Sequence, residues 1–158
     1  MAGDSLAAYG LWEEFFDGMG VARRGIGGDT AEGLPHRVDT IFSERLTRTL
    51  LVIGTDDVGR DHVTGYIMGH VRQTLEELHA QLPDAEIYRE SVRTPTSKYV
   101  GQVEELNSEY EVLCEELGYV EEWTFTRSSS KRTTLPRRSS SRSTATKCRA
   151  TATSCGPR

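Results

Sequence analysis

Val63, Ile67, Val71, Leu75, Leu78 and Leu82 recur at steps of three and four residues, the spacing that lines one face of an α-helix. Pro83 cannot extend the helical hydrogen-bond ladder, so the pattern predicts a helix over 63–82. Ahead of it, Val38, Ile41, Phe42, Leu46, Leu50 and Ile53 keep a similar rhythm. That segment is either helical throughout or switches to a strand at the aliphatic run 50–53. Near the start, Asp4 or Ser5 can cap a first helix with Leu6, Tyr9, Trp12, Phe15 and Phe16 on one face. The glycine-rich stretch 18–33 reads as a flexible connection. Its GIGGD lacks the third glycine of a phosphate-cradling loop, and no strand is predicted before it.

Towards the C-terminus, Thr94 followed by Pro95 has the form of a cap with proline at the first helical position. Tyr99, Val100, Val103 and Leu106 supply the inner face of that helix. Ser108 and Glu111 have capping-box spacing before a further helix over 109–117, which Gly118 is placed to end. Residues 119–125 read as a strand, and 133–135 can return beside it around a tip at 127–132. The expected fold is therefore mainly α with a small C-terminal β-hairpin.

Charge divides the chain in two. All 24 acidic residues lie between Asp4 and Glu122, whereas nine of the 19 basic residues lie from Arg127 onward, where there is no acid. The net charge of −5 thus hides an acidic body and a basic tail. The tail is mostly Ser, Thr and Arg, with Leu135 its only large aliphatic residue, so it cannot bury enough apolar surface to offset its ordering entropy. We expect a domain over 1–135 and a disordered segment over 136–158. A basic arm that attracts nucleic acid and a reading frame that truly ends near Leu135 both fit the abrupt change of composition. Arginine outnumbers lysine 16 to 3, and the acidic, lysine-poor body suggests a halophile-like source.

Candidate chemistry is sparse. No apolar run approaches the ~20 residues of a membrane helix, and the N-terminus has no export pattern, so a cytoplasmic protein without a membrane partner is expected. Cys114 lies among apolar residues of a predicted helix, and Cys148 and Cys155 fall in the tail, which is no disulfide framework. His62, His70 and His79 are eight and nine residues apart, not the four that place two imidazoles on one metal, and His36 stands alone. Asp56, Asp57 and Asp61 cluster where a helix N-terminus attracts acids. No catalytic motif or cofactor loop is found, so no cofactor is expected and the balance lies against an enzyme.

Two resemblances follow from longer stretches. Thr94–Leu106 (TPTSKYVGQVEEL) and 116–135 (ELGYVEEWTFTRSSSKRTTL) together resemble a winged helix-turn-helix DNA-binding domain of archaeal regulators. The resemblance implies a transcriptional regulator that binds duplex DNA. Contacts would come from Thr96, Ser97, Lys98 and Gln102 on a helix and from Arg127, Lys131 and Arg132 on the wing. The helix before that wing carries Glu109, Glu111, Glu115 and Glu116, which phosphates repel. The second resemblance is to acyl-CoA N-acetyltransferases, through residues 50–71 and 107–125, with Tyr110 where a general acid is often found. The pyrophosphate-binding loop of that family is missing, so this resemblance implies an inactive relative. A third reading is a small interaction module whose Trp12, Phe15 and Phe16 form a homodimer seam.

Overall fold

The computed structural model describes residues 1–16, 18–41, 46–93 and 96–123. Five strands form one sheet: β1 (Ala2–Gly3), β2 (Arg24–Gly25), β3 (Arg48–Val52), β4 (Glu86–Glu90) and β5 (Val120–Trp123). Their order is β2-β1-β3-β4-β5, and every pairing is parallel. Parallel strands need crossovers, and these are supplied by α1 (Ser5–Tyr9), α2 (Trp12–Phe15), α3 (Val38–Ile41), α4 (Thr55–Gly59), α5 (Thr64–Gln81) and α6 (Val100–Leu117). The fold is α/β, with both faces of the sheet covered.

One face carries the larger core, in which Leu51, Ile53 and Ile87 of the sheet region meet Ile67, Val71, Leu75 and Leu78 of α5 and Leu106 and Leu113 of α6. The other face packs Leu50, Val52, Tyr88 and Trp123 beneath Ala7, Trp12 and Phe16. Alternation along each strand assigns these sets: Ile87 faces α5 and α6, while Tyr88 faces α1 and α2.

The helix predicted over 63–82 is present as α5, and the run 50–53 belongs to strand β3 and the residue after it. Gly118 ends α6 in the left-handed region at φ 64°. Cys114 is buried in the α6 core. Other expectations are corrected. The fold is not mainly α, and β5 does not open a hairpin but pairs in parallel with β4, Ile87 opposite Val120 and Glu90 opposite Trp123. The stretch 18–33 holds strand β2, and β4 was missed because Arg89 and Glu90 look like surface residues although both are buried. The break expected at Ser108 is absent, since α6 runs through it. The first helix is two short ones parted at Gly10 and Leu11, leaving Leu6 and Tyr9 exposed while Trp12 and Phe16 enter the core. With these two rings buried in their own chain, the homodimer seam loses its surface. The Thr94–Pro95 helix start, the returning strand at 133–135 and the tail 136–158 lie outside the described residues. Among the described residues, no helix is long and apolar enough to cross a membrane.

Candidate functional site at the C-terminal edge of the sheet

After β1 the chain moves to β2 on one side, then crosses back to β3 on the other. In open α/β sheets a crevice forms where strand order reverses, outside the carboxyl ends of the strands. Here that point lies at the end of β1, between β2 and β3. The three strands finish alike: Gly3–Asp4–Ser5 after β1, Gly28–Asp29–Thr30 beyond β2, and Gly54–Thr55–Asp56–Asp57 beyond β3.

The first of these turns is tightly made. Gly3 has φ +138°, and a Cβ there would lie 1.7 Å from the Val52 carbonyl oxygen, so only glycine fits beside β3. The Asp4 N–H donates to Val52 O at 2.9 Å, and the Asp4 carboxylate caps α1 by accepting from the Leu6 N–H at 2.9 Å. Ser5 follows as the first helical residue, partly exposed at the crevice edge. As a first-turn N–H, the Ser5 amide has no partner inside its own helix.

Beyond β3, Gly54 takes φ +119° beneath Val92, Leu106 and the Tyr110 hydroxyl. Asp57 is fully buried: one carboxylate oxygen accepts from the Ala31 N–H at 2.9 Å, and the other meets His62 Nδ1 at 3.1 Å. Asp57 thereby ties the loop after β3 to the segment after β2. Arg37 ties the other side, donating to Gly3 O at 2.9 Å, to Arg24 O at 2.6 Å and to the Asp29 carboxylate at 2.6 Å. Arg60 reaches Gly28 O at 2.7 Å.

Electrostatics mark the same place. Burial, with Asp56 and Asp57 nearby, pushes the Asp4 carboxyl up to about 6, against the opposing pull of the Leu6 and Thr55 N–H groups. One oxygen each of Asp4 and Asp56 is buried without a hydrogen-bond partner among the described residues. Glu90 closes β4 at 8 % exposure, on the face shared with Tyr88, and accepts from Arg93 at 3.0 Å. Burial raises the Glu90 carboxyl to about 6 and Asp4 adds to this, while Arg93 and Arg89 oppose it. It can exchange a proton near neutrality on the face to which the chain turns at Ser5. Arg89, buried on the opposite face, lies 3.4 Å over the Tyr110 ring and bonds Glu122 at 3.2 Å and Asn107 at 3.1 Å. Asn107 in turn clamps Val92 through its N–H and carbonyl.

The residues singled out by sequence fall elsewhere in part. Thr96, Ser97 and Lys98 begin a 3₁₀ turn leading into α6, and Gln102 donates to His62 O at 2.6 Å. Lys98 bonds the Tyr99 hydroxyl at 2.9 Å and lies 3.5 Å from Asp61. Arg127, Lys131 and Arg132 lie outside the described residues. Of the imidazoles, His62 pairs with Asp57, His70 lies edge-on to Tyr66 and His79 stacks on Tyr119 at 3.8 Å. No cluster able to hold a metal occurs among the described residues. Sequence reasoning took Asp4 and Ser5 only as a helix cap, read Gly28 within GIGGD as part of a flexible connection, and passed over Glu90. The signal available was the triple recurrence of glycine, aspartate and a hydroxyl residue.

No protein-family model and no curated protein matches the chain. Solved structures do. A Streptococcus pneumonia protein described as a platelet activating factor superposes with TM-score 0.71 at 20 % identity, covering 84 % of this chain and 69 % of that one. The psychrotrophic esterase EstA of a Pseudoalteromonas species gives 0.65 at 19 % identity, covering 78 % and 74 %. A Veillonella parvula member of the lipolytic protein G-D-S-L family gives 0.61 at 13 % identity, covering 76 % and 73 %. The chain has the fold of these proteins. That finding overturns the winged-helix resemblance, the regulator and duplex-DNA expectations drawn from it, and the acetyltransferase alternative.

Proposed function

We propose that this chain is an ester-cleaving serine hydrolase in which Ser5 is the nucleophile. One observation carries the reading: Ser5 opens a helix directly after the strand at which sheet order reverses, held by a glycine that admits no side chain. The likeness to an esterase and a lipolytic protein supports it, as does Gly3–Asp4–Ser5–Leu6, which spells the G-D-S-L of that family's name.

In this reading Ser5 Oγ attacks the ester carbonyl, and the developing oxyanion is met by N–H groups at the crevice, that of Ser5 among them. The serine proton passes to a basic group and then to the departing alkoxide, and water later releases the acid from the acyl-serine. Hydrolysis of 4-nitrophenyl acetate by the full chain and by Ser5→Ala tests this. Turnover that falls to the buffer rate in Ser5→Ala supports the assignment; turnover unchanged in that variant refutes it.

A further inference from the structure

At the end of the sheet opposite Ser5 lies a cavity of about 350 Å³, within the size range of small-molecule sites. Its place follows from the strand directions. Met1 stands immediately before β1, Val21 and Ala22 lie ahead of β2, and Leu46 and Thr47 lead into β3 at Arg48. Ser5 and residues 54–57 follow β1 and β3 at their carboxyl ends, so the cavity is separate from the crevice described above. Its floor is apolar. Phe16 and Leu50 belong to the core on the α1 and α2 face, and Met1 and Val21 pack against that core.

Among the described residues that line the cavity, Arg48 alone carries a charged side chain. Alternation along β3 puts it on the same face as Leu50 and Val52. Its Nε donates to the Glu86 carboxylate of the neighbouring strand at 2.5 Å, and the same oxygen accepts from the Tyr88 hydroxyl at 3.3 Å. That bond anchors the guanidinium but uses one of its five N–H groups. Nη1 meets only the Met19 sulfur at 4.0 Å, a weak acceptor that also lines the cavity. Nη2 has no hydrogen-bond partner among the described residues. A guanidinium about three-quarters buried thus holds its terminal fork unused beside an apolar cavity.

We infer that this cavity binds the alkyl chain of an amphiphilic carboxylate, whose head accepts from the Nη1 and Nη2 N–H groups of Arg48. A guanidinium offers donors only, so an ammonium head finds no acceptor on it, whereas its planar fork matches the two oxygens of a carboxylate. Glu86 already balances the charge of Arg48, so a monoanion suits the site better than a phosphate dianion, whose second charge adds repulsion from Glu86. The chain covers Phe16, Leu50 and Val21, and the unbranched side chains of Met1 and Met19 adapt to it. The site is independent of the role of Ser5.

Decanoate is the probe. At roughly 30 Å³ for each non-hydrogen atom the cavity takes about a dozen, the number in that ion. Isotope-labelled methionine methyl groups report on it by NMR, because the three methionines divide between the two faces. Met1 and Met19 line the cavity, whereas Met68 packs against the core on the other face. Sodium decanoate, added to the full chain below its micelle-forming concentration, should move the Met1 and Met19 signals along one saturable curve and leave Met68 in place. Decanol and decylammonium should bind about tenfold more weakly or worse, since the charge-assisted bonds to Arg48 are lost. Decyl phosphate should also bind more weakly than decanoate; tighter binding would overturn the carboxylate assignment. Arg48→Gln should lower decanoate affinity by about tenfold or more. The comparison of head groups on wild type keeps the test independent of how that variant folds. Equal shifts at all three methionines, equal binding of the three head groups, or undiminished binding by Arg48→Gln would overturn the site. Shifts retained in Ser5→Ala support a site apart from the crevice, and their loss in that variant would place decanoate at the crevice instead.

Discussion

Asp4 gives the sharpest quantitative prediction, because its carboxyl is fully buried yet holds a structural hydrogen bond. Asp4→Asn keeps an oxygen acceptor for the Leu6 N–H and removes the charge that Asp56 and Asp57 oppose. The folded protein holds the Asp4 proton up to a pH of about 6, whereas the ordinary value is 3.8. Over the interval between them the folded state binds more protons than the unfolded chain, so this group's contribution to stability falls as pH rises. Above 6 the full penalty applies: about two pH units, or roughly 3 kcal/mol. Asparagine carries no such penalty, because it has no charge to desolvate. Urea unfolding of wild type and variant at pH 7.5 and pH 4 measures the difference. The variant should be more stable by about 2–3 kcal/mol at pH 7.5, an advantage that vanishes near pH 4. Equal stability at both pH values, or a loss of about 1 kcal/mol at both, as for a weakened helix cap, would refute the electrostatic account.

Three further predictions concern other parts of the site. Gly3→Ala, with φ +138° and a Cβ 1.7 Å from Val52 O, should lose about 3 kcal/mol or more in chemical denaturation; a loss under 1 kcal/mol would contradict the packing described. Burial raises the Glu90 carboxyl to about 6, so a pH–rate profile of ester hydrolysis should show a limb near pH 6 in wild type that Glu90→Gln abolishes. An unchanged limb would exclude Glu90 as its source. Asn107 bonds Arg89 and both polar backbone groups of Val92, and Asn107→Ala should destabilise the fold by about 2–3 kcal/mol in urea titration, since buried polar groups lose partners. Retention of wild-type stability would mean that these bonds are replaced by water.

Elements with a long repeating apolar face were legible. α5 could be read from Val63 to Leu82, and Gly118 announced the end of α6, because both depend on local spacing and backbone freedom. The sheet was not legible for three separate reasons. Strands β1 and β2 have two residues each, too few to display any period, and both sit beside glycines that look like connection. β4 carries Arg89 and Glu90 into buried positions, where cation–π contact with Tyr110 and ion pairing replace the apolar alternation that marks a strand. β5 was recognisable as a strand, but its parallel partner β4 lies some thirty residues upstream, and a hairpin was the shorter hypothesis. The candidate site was hidden by the same physics: Asp4 is indeed a helix cap, and the residue it introduces acquires its meaning only when three strand ends meet.

The central claim, that Ser5 is a nucleophile, is tested most directly by covalent capture. The full chain is treated with an ethylphosphonate ester bearing a 4-nitrophenoxy leaving group, and the product is weighed intact and then mapped by peptide mass spectrometry. The account predicts a single phosphonyl adduct on Ser5, formed more slowly while excess 4-nitrophenyl acetate competes for the serine and absent from Ser5→Ala. No adduct under conditions that modify a known serine esterase, or an adduct on another residue, would contradict it.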